Sequence, residues 1–214
     1  MEEGRGLDGG GALKSESHSH APPDRGAWVA GTVAAVAILV ATAAVLRLQG
    51  QPWWCACGSW SPWSWNVWSS HNSQHVMDPY SFSHVLHGLL FYALLVRLGV
   101  RPATRFALAL GIEAGWEVLE NSPVIIDRYR SATIALGYEG DSILNSTSDI
   151  LMMSLGFLMA SRLRWWLSAA ALVAIELGCL AWVRDNLTLN IVMLVHPIEA
   201  IKAWQMAGAP APLR

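Results

Sequence analysis

His84 and His87 stand three residues apart at the head of an apolar run, a spacing that puts both imidazoles on one helix face. A second apolar run carries Glu113, Glu117 and Glu120 at i, i+4 and i+7, which falls within about 60° around a helix. A third opens with Asn145 and Asp149, again four apart. Imidazoles and carboxylates on neighbouring helices can bind a divalent transition metal. His84, His87 and Glu117 are the candidate ligands, and His71 and His75, in His71-Asn72-Ser73-Gln74-His75, lie just outside the run and could complete the set, with His75 the candidate ligand of the two. A metal-free alternative uses the same groups. Crowded carboxylates raise one another's pKa, which suits Glu117, Glu120 and Asp149 to general acid–base work beside histidine. Arg128 and Arg130 could then orient an anionic substrate group through forked hydrogen bonds. A lone His or Glu in a bundle ordinarily only fixes packing. Six polar groups at one depth (His84, His87, Glu117, Glu120, Asn145 and Asp149) point to a site.

The elements that must hold these groups are membrane helices. Of the 214 residues 53% are hydrophobic and only 14% charged, where a soluble domain carries about a quarter charged. A formal net charge of −2 provides no footprint for nucleic acid, and three cysteines cannot staple a disulfide scaffold. Residues 1–26 read as a disordered tail rich in Gly, Ser and Pro, where His18 and His20 are solvated. Ala27 to Leu46 is uncharged and long enough to span a bilayer. Further apolar runs follow at 83–100, 104–121, 146–162 and 165–183, with a weaker sixth at 187–204 that spans, breaks or lies at the interface. The expected fold is an all-α integral membrane bundle of five or six spans over residues 27–205, with an outer loop at 48–82.

No Lys or Arg occurs between Arg47 and Arg97, which places that loop outside and the N-terminus in the cytoplasm. With six spans, ten of the 14 basic residues fall inside. The polar groups then gather in the outer half of the bilayer, where ionisable residues are costly and usually functional. Trp53, Trp54, Trp60, Trp63, Trp65 and Trp68 suit a loop resting in the headgroup zone. Gly111 and Gly115, spaced Gly-x-x-x-Gly, read as a close helix contact. Cys55-Ala56-Cys57 can bind a soft metal or oxidise to a strained ring, a weak signal without a second cysteine pair. No phosphate-loop, dinucleotide or His-Glu-x-x-His motif is present.

The runs Trp54-Cys55-Ala56-Cys57-Gly58, His71 to His75, Ser83 to Gly88, Trp116 to Asn121, Asp127-Arg128-Tyr129-Arg130, Gly140-Asp141-Ser142, Arg184-Asp185-Asn186 and Pro197 to Lys202 resemble uncharacterised protein family 0314, domain of unknown function 2585. The resemblance covers roughly residues 27–205. It implies a multi-pass bacterial inner-membrane protein and supplies no activity. The order His, Glu, Arg, Asp along the spans looks more loosely like VanZ-type membrane proteins, too loosely to carry residues across. The leading expectation is a metal-dependent or acid–base enzyme acting on a lipid or lipid-linked substrate at the outer leaflet. The alternatives are a metal-handling or transport protein, with Cys55, Cys57, His71 and His75 capturing the ion, and an assembly subunit of a membrane complex.

Overall fold

A computed structural model describes residues 25–135 and 137–210. The tail expected over 1–26 lies almost wholly outside these. Among the described residues there are eight helices and no strand, only an isolated bridge between Trp63 and Met77. The five long helices are α1 (Arg25–Leu48), α2 (Ser81–Arg97), α3 (Pro102–Glu120), α5 (Ile143–Arg162) and α6 (Trp165–Val183). The short ones are α4 (Pro123–Ala132), α7 (Leu187–Val195) and α8 (Glu199–Met206). Three helices, α1, α5 and α6, are long and apolar enough to cross a membrane; α2 is apolar but shorter. That is fewer than the five or six spans expected. On α3, three glutamates and Arg105 dilute the apolar run.

Local chemistry sets the helix ends. Gly99 takes φ +69°, and the amides of Gly99 and Val100 return to the carbonyls of Val96 and Leu95, which closes α2 as a Schellman cap. Pro102 and Pro123 then start α3 and α4 at positions that need no amide donor. The Ser142 hydroxyl accepts from the Asn145 amide and caps α5.

The long helices alternate in direction. Gln49, just past α1, donates to the Val118 carbonyl near the end of α3. The amides of Ser142 and Ile143, where α5 begins, donate to the Ser73 and Pro52 carbonyls of the long loop. Trp182, at the end of α6, packs on Trp65 and on Phe82 at the start of α2. Loop 49–80 therefore covers one end of the bundle, and the turns 98–101 and 163–164 lie at the other.

The tightest helix contact is between α2 and α5. A Cβ on Gly88 would lie 2.0 Å from the Met153 carbonyl oxygen, and one on Gly156 would lie 2.0 Å from that of Val85. Leu95, Ala109, Leu110, Ala114, Ile150, Met153 and Phe157 pack beside this crossing as the main core. The close contact expected at Gly111 and Gly115 is not there. Both glycines are exposed, and no neighbouring helix comes within 4 Å of where a Cβ would sit.

The segment 187–204 breaks at His196–Pro197 into α7 and α8. The α7 helix runs from α6 to α4: Glu176 accepts from the Leu187 amide at its start, and Arg128 donates to the Leu194 carbonyl at its end. The α8 helix returns, since Lys202 donates to the Ser131 carbonyl and Gln205 to Asp185. The pair forms a hairpin across the loop-covered end of the bundle. Pro197 forbids a continuous helix, and nine residues of α7 reach only about 13 Å, short of the ~30 Å hydrocarbon core.

Candidate functional site

The histidine pair and the acids do converge. His84 Nδ1 lies 2.6 Å from Glu113 Oε1, and His87 Nδ1 lies 3.1 Å from both oxygens of the same carboxylate. Where the Glu113 carboxylate accepts from His84, Nδ1 carries a proton and Nε2 is the ring nitrogen left for other partners. Nε2 is 3.8 Å from Asp149 Oδ2 on α5. Glu117 Oε1 is 3.5 Å from His84 Nδ1, yet neither Glu117 oxygen has a hydrogen-bond donor among the described residues, and Asp149 Oδ1 has none either. Glu117 is wholly buried. Glu120 accepts from the Tyr129 hydroxyl, 2.8 Å away on α4. His84 with His87 and Glu113, or with Glu117 and Glu120, offers donor atoms close enough to share one cation.

His84, His87, Glu120 and Asp149 line a cavity of about 350 Å³, while Glu113 and Glu117 are not among its lining residues. Its polar end holds Asp78, His84, Asp141, Asn145 and Asp149. Its side wall is apolar, built from Leu90 and Phe91 of α2, Ile112 and Trp116 of α3, and Ile191 and Leu194 of α7. Leu90, Ile112 and Ile191 are also exposed on the outside of the bundle, so the wall opens sideways between helices. Among the described residues no Lys or Arg lines the cavity.

Arg128 and Arg130, expected to orient an anionic substrate group, are not among the cavity's lining residues. Arg128 donates to the Leu194 and Val195 carbonyls and so closes the C-terminus of α7, where a cation opposes the helix dipole. Arg130 donates to the Tyr138 carbonyl and lies 3.9 Å from Asp127. His75 is placed apart from the other candidate ligands. It joins Cys55, Cys57 and His71 in a separate cluster within the loop, not the His84 set.

Two acids of the polar end went unassigned to the site from spacing alone. Asp78 accepts from the amides of Ser73, Tyr80 and Ser81, which ties loop 49–80 to the first turn of α2. Its signal was the Asp-Pro-Tyr-Ser run before an apolar helix. Burial pushes its carboxyl up, against those amide bonds. Asp141 accepts from Tyr138 and Asn121, and burial together with the Asp78 charge raises it to about 7.

A family model described as "Protein of unknown function (DUF2585)" matches residues 46–207. The chain belongs to this family. A UPF0314 protein of Sphingopyxis alaskensis is 52% identical over 180 residues, covering 83% of this chain and 96% of the relative. One from Rhizobium etli is 53% identical over 175 residues, covering 81% and 90%. One from Paracoccus denitrificans is 46% identical over 172 residues, covering 79% and 89%. No solved structure matches. The DUF2585 match spans the cavity, the cysteine–histidine loop and the α7–α8 hairpin together. The looser VanZ likeness gains no support from these matches.

Proposed function

We propose that the chain is a five-span inner-membrane enzyme acting on a lipid or lipid-linked substrate from the outer leaflet, with its N-terminus in the cytoplasm. The observation that carries this reading is the cavity: histidine and carboxylates line it together with an apolar wall whose Leu90, Ile112 and Ile191 are also exposed on the outside of the bundle, where acyl chains would lie. Such a shape admits a polar head group to the chemistry while its chain stays in the bilayer. His84 serves as general base and acid through Nε2, with its ring fixed by Glu113 and Glu113 fixed by His87. As a metal-bound alternative, a divalent cation held by His84, Glu117 and Glu120 would meet the unpartnered Glu117 oxygens and draw in an anionic head group. His84 would then be a ligand and not the base, and Asp149 would handle the proton.

Comparison of extracted lipids from a deletion strain and its parent tests the reading. A lipid or lipid-linked species should accumulate on deletion, clear with the wild-type gene, and persist with His84→Ala, Glu117→Gln or Asp149→Asn. Clearance by all three variants would sink it.

Ion transport receives less support. The polar set sits at the loop-covered end, and the other ends of α2, α3 and α5 offer Leu95, Ala109, Leu110, Phe157 and Ala160.

A further inference from the structure

Cys55, Cys57, His71 and His75 lie apart from the cavity, and the proposed reaction does not use them. Their donor atoms all fall within 4.8 Å of one another. Cys55 Sγ is 3.3 Å from His71 Nδ1, and Cys57 Sγ is 3.7 Å from His75 Nε2. Zinc bonds of about 2.3 Å to sulfur and 2.05 Å to nitrogen, at the tetrahedral angle, separate the two donors by about 3.6 Å. The two observed separations bracket that value.

Three further features belong to a ligand site. His75 Nδ1 lies 2.6 Å from the Ser61 carbonyl oxygen, which can only accept. Nδ1 therefore carries the ring proton, and the lone pair of Nε2 faces the Cys57 sulfur. A backbone carbonyl that fixes the tautomer in this way is the usual outer support of a metal-bound imidazole. The amides of Cys57 and Ser59 point at the sulfurs of Cys55 and Cys57, each at 3.4 Å, as donors would toward thiolate charge. The Trp54 ring packs edge-on against His75 at 5.3 Å and screens one side.

We propose that these four residues form a tetrahedral Cys2His2 site for Zn²⁺ or a similar thiophilic divalent ion, and that the ion is structural. All four protein donors fill the coordination sphere, so no position is left open for substrate. The ion would join two stretches of a loop without helix or strand, 55–57 and 71–75. The second stretch is bonded to the bundle: Ser73 accepts from the Ser142 amide, Gln74 donates to the Gly140 carbonyl, and the His75 carbonyl accepts from Asn145. Asn72 and Ser73 line the cavity from this stretch. The ion would thus hold the cavity roof in place without touching its chemistry.

The test is elemental analysis of the full chain, purified in detergent under reductant from zinc-supplemented cells, beside Cys57→Ser and a His84→Ala/His87→Ala variant. Zinc near one equivalent in the wild type, retained in the double-histidine variant and lost in Cys57→Ser, is expected. Wild-type protein without metal overturns the proposal, as does metal that stays with Cys57→Ser and leaves with the double variant. Thiol alkylation covers the case in which Cys57→Ser does not fold. In wild-type protein the exposed Cys57 should react about tenfold faster after chelation. A rate indifferent to the chelator, or a Cys55–Cys57 disulfide in fresh protein, also overturns it.

Discussion

At the residue scale, Glu113 decides how the two histidines act. It is fully buried and receives both Nδ1 atoms. Glu113→Gln keeps the shape and replaces a double acceptor with an amide that must donate on one side. The variant should fold, and turnover should fall by about two to four orders of magnitude, the span for a general acid–base group that loses its orientation. Clearance of the accumulated lipid, followed over time, measures this. Asp141 provides a separate check. Its folded pKa is about 7, against 3.8 for the ordinary carboxyl. The folded chain thus keeps a proton that the unfolded chain has released. Stability contributed by this group is greatest below pH 3.8 and is lost as pH rises toward 7. Melting temperature should fall between about pH 4 and 7, and Asp141→Asn should flatten that fall. An identical slope in the variant would assign the effect elsewhere.

At the scale of elements, the spacing of His84, His87, Glu113, Glu117, Asn145 and Asp149 was legible because helical periodicity fixes which side chains share a face. The same logic misread the glycines. Gly-x-x-x-Gly marks a surface that allows close approach, but it does not supply the partner. Gly111 and Gly115 face outward, while the lone Gly88 meets Gly156 from a helix more than sixty positions away. Gly88→Ala would push a methyl into the Met153 carbonyl and the Phe157 amide, and should cost about 1–3 kcal/mol through forced separation of α2 and α5. Gly111→Ala, with open space around it, should stabilise α3 by roughly 0.5–1 kcal/mol from helix propensity. Thermal unfolding of the two variants in one detergent separates these outcomes. Equal shifts would mean that the α2–α5 crossing is looser than its backbone distances require. Loop 49–80 was illegible for a different reason. It has no period, so nothing in the spacing of His75 or Asp78 tells which neighbour each will meet.

At the scale of the whole molecule, the last segment decides on which side the chain ends. Six crossings would return the C-terminus to the side of the N-terminus and put ten of the 14 basic residues there. The α7–α8 hairpin removes the sixth crossing. Both of its ends are bonded to the loop-covered end of the bundle, through Arg128 and Lys202 at α4 and through Arg184 and Asp185 after α6. On the proposed five-span reading eight basic residues would lie inside, because Lys202 and Arg214 would move out. The bias survives with a smaller margin, and the connections Arg97–Arg105 and Arg162–Arg164 still carry it. Reporter fusions test the count directly. Alkaline phosphatase after Gly208 should be active and a fluorescent protein there dark, while a fluorescent protein at the N-terminus should glow. The reverse pattern at Gly208 would require the hairpin to open into a full crossing. It would also strip Ile191 and Leu194 from the cavity wall, and the lipid-facing mouth would lose one of its three sides.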